Sequence, residues 1–348
     1  MKILVFELAC ITRSFESQIT CEGFEMLNMI TEGFSKANHE VTVILNSELD
    51  PKFIIKCAEV VRIDNLTSGD IDELCEKIIK IAEQKNTDYV FPIAPDHDLA
   101  RIVKKLRKSG LTVIASENSA LDIAADKWKT YNLFKNRSIR TPGTELFPCE
   151  LSYPLIVKPR MGVACENLFK INNENEFNGL RLDNKEEFIM QEFIHGDDVS
   201  VTLFSDGKIA VPISLNKQNL KISLKNSRYI GGIVPYSHPM KKEAFKSAKF
   251  AVESVGGLKG AVGVDIVISE DIYVIEINPR VTTSMVALEK AVTSVNVAEF
   301  SMLAYTGDLS KIFSCEFKNN NIVEFSHKFM RGESCGIEFK NLSEGVQV

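Results

Sequence analysis

Several familiar signatures are missing from this chain, and each absence excludes something. No apolar run is long enough to cross a bilayer, so a membrane-spanning protein is not expected. The chain carries 41 Lys and Arg against 47 Asp and Glu, a net charge of -6, which argues against a general nucleic-acid binder. No two of the eight cysteines stand in Cys-x-x-Cys spacing, so neither a zinc ribbon nor a thioredoxin-like motif is supported. Scattered cysteines in a large chain of this kind read as buried free thiols of a cytosolic protein. The first apolar run, Met1 to Phe6, is too short for a signal peptide and reads as a buried strand. The glycine fingerprint GxGxxG does not follow that strand, which weakens any reading as an NAD-dependent enzyme. Repeats, low-complexity tracts and charged tails are also lacking.

What is present divides in two. The 348 residues are enough for two or three domains. Up to about residue 115, strand patterns (Ile3–Phe6, Val41–Leu45, Tyr89–Ala94, Leu111–Ala115) alternate with helical ones (Glu22–Ala37, Ile71–Lys85, Asp98–Ser109). Such alternation predicts a parallel sheet with helices on both faces and ligands at the C-terminal strand ends. That nominates Glu7, Glu22-Gly23 and Pro95-Asp96-His97. The three acidic residues could bind an amine, or could equally cap helices and form salt bridges. One helix is expected from Ala120 to about Asn136, with Ser119 as its N-cap. From Tyr153 strands follow closely (Leu155–Pro159, Leu168–Ile171, Phe188–Ile194, Val199–Ser205, Lys208–Ser214), with turns such as Asp206-Gly207 that imply antiparallel pairs. The tail from Cys315 to Val348 is expected to add strands.

The most informative stretch is Gly263–Ile268, a polar turn, then Ile272–Arg280, two β-branched runs that read as a hairpin. A two-residue turn at Glu270-Asp271 would pair Ser269 with Ile272 and set Asp265 opposite Glu276. Period two would put Val274, Glu276 and Asn278 on one face. Facing carboxylates that close should repel, and a divalent cation removes the conflict, since carboxylate and amide oxygens suit Mg²⁺. Arg280, just beyond, can hold an anion with its planar fork.

Other candidates are individually weaker. Lys158 ends an apolar strand, where an ammonium is costly unless it reaches water or an anion. Lys127 lies on the preceding helix, where a solvated face is the plainer explanation. The loop at Gly162 has one glycine and makes a poor phosphate cradle unless its backbone N–H groups converge. At Gln191-Glu192-Phe193-Ile194 a strand ends in polar groups whose backbone can read a planar base, and Asp198 beyond the turn can accept bonds from ribose hydroxyls. Arg228 precedes Gly231-Gly232, which reads equally as a mobile loop beside a ligand or as a surface loop.

In this order the motifs resemble the ATP-grasp superfamily of carboxylate–amine (or carboxylate–thiol) ligases, over roughly residues 1–310. The closing Asp265…Glu276-x-Asn278 is the most specific part. Ile93-Ala94-Pro95-Asp96, Asp126–Tyr131 and Asn278–Ser284 look like the archaeal tyramine–glutamate ligase branch of methanofuran biosynthesis. The resemblance implies a Rossmann-like α/β domain (1–117) followed by an ATP-grasp fold with two α+β subdomains, a lid (118–193) and a metal-bearing subdomain with the C-terminal extension (194–348). It implies that Lys127, Lys158 and Gly162 contact ATP phosphates, that Gln191, Glu192, Phe193 and Ile194 hold adenine, and that Asp198 holds ribose. Asp265, Glu276 and Asn278 would bind one or two Mg²⁺ (or Mn²⁺) ions. Lys158, Arg280 and Arg228 would assist as a small carboxylate is activated as an acyl phosphate and joined to an amine. A cytoplasmic homodimer is the family-level expectation. Ala164 and Asn167 stand where many family loops have glycine. Gly263 replaces an arginine found in several relatives, so Arg228 or Arg280 would take its role. The alternative is a non-catalytic ATP-binding protein that keeps the fold.

Overall fold

A computed structural model describes residues 1–12, 17–49, 55–64, 70–162, 165–225, 227–315, 321–329 and 335–343. Val163 and Ala164, within the glycine-poor loop, lie outside the described residues. Among the described residues no helix is long and apolar enough to cross a membrane.

The N-terminal sheet is parallel, with strands β1 (Lys2–Glu7), β2 (Glu40–Asn46), β3 (Glu59–Ile63) and β4 (Tyr89–Ile93) in the order β3-β2-β1-β4. Side chains of β1 alternate between two cores, as period two requires. Ile3 and Val5 join the side covered by the helix Ser17–Lys36, while Leu4 and Phe6 join the side covered by Ile71–Lys85 and Asp96–Lys108. Such double burial is why the strand sequence is apolar throughout. The expected fifth strand, Leu111–Ala115, is reduced to one parallel bridge between Val90 and Val113.

The expected helix 120–136 is two helices, Asn118–Ala124 and Lys127–Asn136. The break falls at Asp126, whose carboxylate caps the second helix by accepting from the N–H groups of Trp128 and Lys129. Ser119 is therefore not an N-cap; it lies inside the first helix.

A small antiparallel sheet follows, built from β5 (Thr144–Leu146), β6 (Leu155–Pro159), β7 (Phe169–Ile171) and β8 (Phe188–Glu192), ordered β5-β8-β6-β7. The large sheet comprises β9 (Asp197–Asp206), β10 (Ala210–Lys221), β11 (Arg228–Val234), β12 (Lys259–Ile268), β13 (Ile272–Asn278), β14 (Val323–Phe329) and β15 (Cys335–Asn341), all antiparallel, in the order β13-β12-β9-β10-β11-β14-β15. The helix Lys241–Val255 covers one face, packing close through Ala244, Ala248 and Ala251. The tail does add two strands. Gly231 and Gly232 form neither a mobile nor a surface loop; they lie mid-strand in β11. A Cβ on Gly231 (φ +148°) would come within 2.0 Å of the Phe325 carbonyl, so the glycines permit β11 to pair with β14.

Candidate functional site

The two antiparallel sheets and the N-terminal domain face one cleft of about 270 Å³. Its centre is the β12–β13 hairpin. Asp265 does pair with Glu276, but by a different route from the one expected. The turn has three residues, since Ile268 pairs with Ile272, and a bulge at Ile275 restores the register. The bulge also reverses the expected face of Val274, which is buried with Ile272 and Ile277 in the core behind the sheet. Glu276, Asp265 and Asn278 face the cleft.

Asp265 is held on both oxygens, accepting from Gln218 Nε2 at 2.9 Å and Asn278 Nδ2 at 3.1 Å. Burial, reinforced by the facing Glu276, pushes its carboxyl pKa up. Burial would also raise Glu276, yet Lys127 and Lys158 outweigh it and hold that carboxylate below its ordinary range. Lys127 Nζ lies 3.4 Å from Glu276 Oε2 and donates to the Gly162 carbonyl at 2.8 Å. Gly162 thus meets Lys127 with its carbonyl oxygen. Lys158 is only 5 % exposed. Burial, and then Lys127, lowers its ammonium pKa to about 8 against the pull of Glu276.

Asp126, part of the resembling stretch Asp126–Tyr131 but given no role from the sequence, organises this corner. Besides capping the helix that begins at Lys127, it pairs with Arg160 through 3.2 and 2.6 Å contacts. Burial opposes its ionisation, but the Arg160 bonds and the capped amides win and its pKa is lowered. The backbone closes the same join, Lys127 N donating to the Arg160 carbonyl at 3.0 Å. The signal available was Asp126 itself, a good N-cap type just before the lysine.

Asn167 and Cys165 both adopt left-handed backbone (φ +51° and +61°). Asparagine tolerates that region better than most side chains, so at Asn167 it does what glycine would do. At the far wall Gln191 is buried and donates to Thr144 Oγ1 at 2.9 Å. Glu192 Oε2 accepts from Gly143 N at 3.3 Å. The Phe193 ring carries Lys170 Nζ 3.7 Å from its centroid. Phe193, Ile194 and Asp198 line the cleft, and Asp198 is raised by burial and then by Asp197.

Arg280 also lines the cleft, but its fork is engaged, Nε donating to Asp96 Oδ1 at 2.6 Å. Glu7 and Glu22 reach the cleft, whereas His97 is not among its lining residues. Arg228 is exposed at the start of β11, opposite Lys221, and the structure does not bring it to the cleft lining. Gly263 does line it, and a Cβ there would sit 3.1 Å from Thr282 Cγ2. One contact had no sequence signal: His327, from β14, places Nε2 3.0 Å from Glu22 Oε1, while Thr283 Oγ1 donates to Glu22 Oε2 at 2.8 Å.

No set of three His, Cys, Asp or Glu that could cage a metal occurs among the described residues. Two facing carboxylates and an amide, beside a cleft, nevertheless fit Mg²⁺, which is bound by few protein oxygens and keeps water and phosphate oxygens in its shell. The repulsion that raises Asp265 is the charge such an ion would neutralise.

Known proteins similar to this chain are found by domain, sequence and structure. An ATP-grasp domain model matches residues 124–284. Tyramine–L-glutamate ligase of Methanocaldococcus fervens is 30% identical over 295 residues, covering 82% of this chain and 89% of the relative. The enzyme of that name from Methanocaldococcus jannaschii is 29% identical over 300 residues, covering 85% and 87%. An ATP-grasp superfamily protein of Archaeoglobus fulgidus, 28% identical, superposes with a TM-score of 0.74 over 98% of this chain and 99% of its own.

Proposed function

The chain belongs to the ATP-grasp superfamily of ATP-dependent ligases, and from that premise we propose that it joins the carboxylate of L-glutamate to tyramine or a similar amine, releasing ADP and phosphate. The observation that carries this reading is the Asp265–Glu276–Asn278 set facing Lys127 and Lys158 across one cleft. The substrate pair is taken from the relatives' activity.

In this reading the units 1–117, 118–193 and 194–348 enclose the nucleotide. Lys127 and Lys158 approach its phosphates, with Gly162 beside them. The low ammonium pKa of Lys158 reflects desolvation that an arriving anion offsets. Gln191 to Ile194 border the base and Asp198 the ribose. Asp265, Glu276 and Asn278 would hold Mg²⁺ (or Mn²⁺), which when bound neutralises phosphate charge during transfer. The substrate carboxylate oxygen attacks the γ-phosphorus, the bond to the ADP oxygen breaks, and an acyl phosphate results. Closure around it excludes water. Arg280, held by Asp96, presents positive charge near the transferring group. With Arg228 exposed, Arg280 is the better successor to the arginine that Gly263 replaces.

The test is phosphate release from Mg-ATP with L-glutamate and an amine panel that includes tyramine, with Glu276→Ala as control. Release that requires both substrates and disappears in the variant is expected. ATP hydrolysis indifferent to both, or retained in Glu276→Ala, would refute the assignment.

A further inference from the structure

Two carboxylates of the N-terminal domain, Glu7 and Glu22, line the cleft, and a third, Asp96, stands behind Arg280; the three are not equivalent. Asp96 is committed to Arg280. Glu22 is committed to His327 and Thr283. Glu7, at the C-terminal end of β1, is 3 % exposed and accepts from the Cys10 amide at 2.9 Å. No cationic side chain among the described residues forms an ion pair with it. A buried carboxylate without a cation is costly, and here the sequence makes room for one. The carboxylate sits against Gly23, where any Cβ would come within 2.4 Å of it.

The surroundings of Glu7 define what could approach. Ile19, Met26, Ile93, Ala94 and Pro95 give this end of the cleft an apolar wall. The remaining charge on the N-terminal side is acidic, and the guanidinium of Arg280 is already paired. A ligand group with its own carboxylate would meet repulsion there; an ammonium on an apolar body would not.

We infer that Glu7 receives the ammonium group of the amine substrate and takes its proton, and that this end of the cleft selects primary amines that carry an apolar body and no carboxylate. The inference rests on the ligase reading above and adds the residue that prepares the nucleophile. Need for a base is arithmetic. A primary amine with a pKa near that of lysine, about 10.4, is neutral in only about one molecule per thousand at pH 7.4. The proton passes from ammonium nitrogen to the Glu7 carboxylate. The freed lone pair forms the C–N bond at the acyl carbon, the bond from that carbon to the phosphate oxygen breaks, and phosphate leaves with the second amine proton. Burial raises the Glu7 pKa to about 7, against the Cys10 amide bond and the charge of Arg280, which suits a base that must accept and release a proton near neutrality. The titratable and charged groups on the elements packed around it are Cys10, Cys21 and Glu22, with Arg280 and its partner Asp96 nearby.

The experiment uses the full chain, Mg-ATP and L-glutamate with two competing nucleophiles. Tyramine is charged at neutral pH, whereas hydroxylamine is a weak base already neutral there and traps an acyl phosphate as a hydroxamate. In Glu7→Gln the ratio of amide to hydroxamate should fall roughly 100-fold, in the range general-base catalysis supplies. That ratio should recover as the pH rises towards the pKa of the amine. Wild type should also prefer tyramine to L-tyrosine. Thermal stabilisation by Mg-ATP reports that the variant is folded, and Glu7→Asp, which keeps the charge, should give an intermediate ratio. An unchanged ratio, or equal loss of both products, would overturn the role of Glu7. Equal use of tyrosine and tyramine would overturn the amine class. Absence of both amide and hydroxamate in wild type would instead overturn the ligase reading on which the inference stands.

Discussion

Replacing Asp126 with alanine should loosen the nucleotide side of the cleft without touching a residue that faces it. The carboxylate does two jobs, capping the helix Lys127–Asn136 and pairing with Arg160 beyond β6. Loss of a side-chain N-cap typically costs about 1 kcal/mol. Breaking a fully buried ion pair costs about 3–5 kcal/mol, but Arg160 is 29% exposed and can turn to water, so the lower part of that range is the ceiling. A total of about 2–4 kcal/mol follows. Asp126→Asn, which keeps an acceptor for the cap, should lose about 1–2 kcal/mol. The folded-state pKa of Asp126 lies below its unfolded value, so the stabilisation is present above about pH 4 and disappears as the pH falls through the folded pKa. Urea unfolding of wild type and both variants at pH 7, and again at the lowest pH where the fold persists, measures this directly. Because Lys127 opens the capped helix, KM for ATP should rise in parallel. Equal urea midpoints at pH 7, or a stability loss that persists undiminished in acid, would refute the reasoning.

Three further expectations concern other parts of the molecule. Lys158→Met should raise the stability of the ligand-free protein while abolishing ATP turnover. The displacement from 10.5 to about 8 caps the burial penalty at about 3 kcal/mol, and the gain should fade as the pH rises from 8 towards 10.5; a variant less stable at pH 7 would contradict this. His327→Gln should destabilise the protein more at pH 6 than at pH 8.5. Burial lowers the His327 pKa, but contact with Glu22 outweighs it and leaves it raised, so its contribution is full below the unfolded value and is lost as the pH passes the folded one. Calorimetry at the two pH values decides, a pH-independent effect being the contrary result. Gly231→Ala should cost several kcal/mol and expose β14 and β15 to protease first, because the added Cβ meets the Phe325 carbonyl; wild-type proteolysis would show that the strands part without cost.

The legible portion of this fold is the portion governed by local periodicity. The helix Ile71–Lys85 ends where its apolar spacing ends, with Asp70 capping it through the amides of Asp72 and Glu73. The pairing of Asp265 with Glu276 was also legible, though the route was not. A turn one residue longer and a bulge at Ile275 cancel each other, and neither has a distinct residue signature. Local reading fails where a tertiary partner decides. Asp126 interrupts what looks like one continuous helix because Arg160, 34 residues later, needs its carboxylate. Gly231-Gly232 looks like a loop until β14 is known to lie against it. Leu111–Ala115 has strand composition but finds a partner for only one residue. In the site, residues of recognisable type at strand ends, such as Lys158, Glu276 and Asn278, could be nominated. That Glu22 would be held by His327 could not, since nothing near either residue encodes the other.

That last contact has a consequence for the order in which the protein comes into being. His327, the support of Glu7's neighbour Glu22, leaves the ribosome 320 positions after Glu7. The parallel domain can bury both faces of β1 long before then, so a stable scaffold precedes a finished cleft. Until β14 docks, Glu22 lacks its imidazole partner and the acidic end of the cleft carries uncompensated negative charge. A chain truncated shortly before residue 327 would be expected to fold through most of its length and yet hold Glu22 without its imidazole partner. The docking of β14 on β11 is thus what completes the cleft.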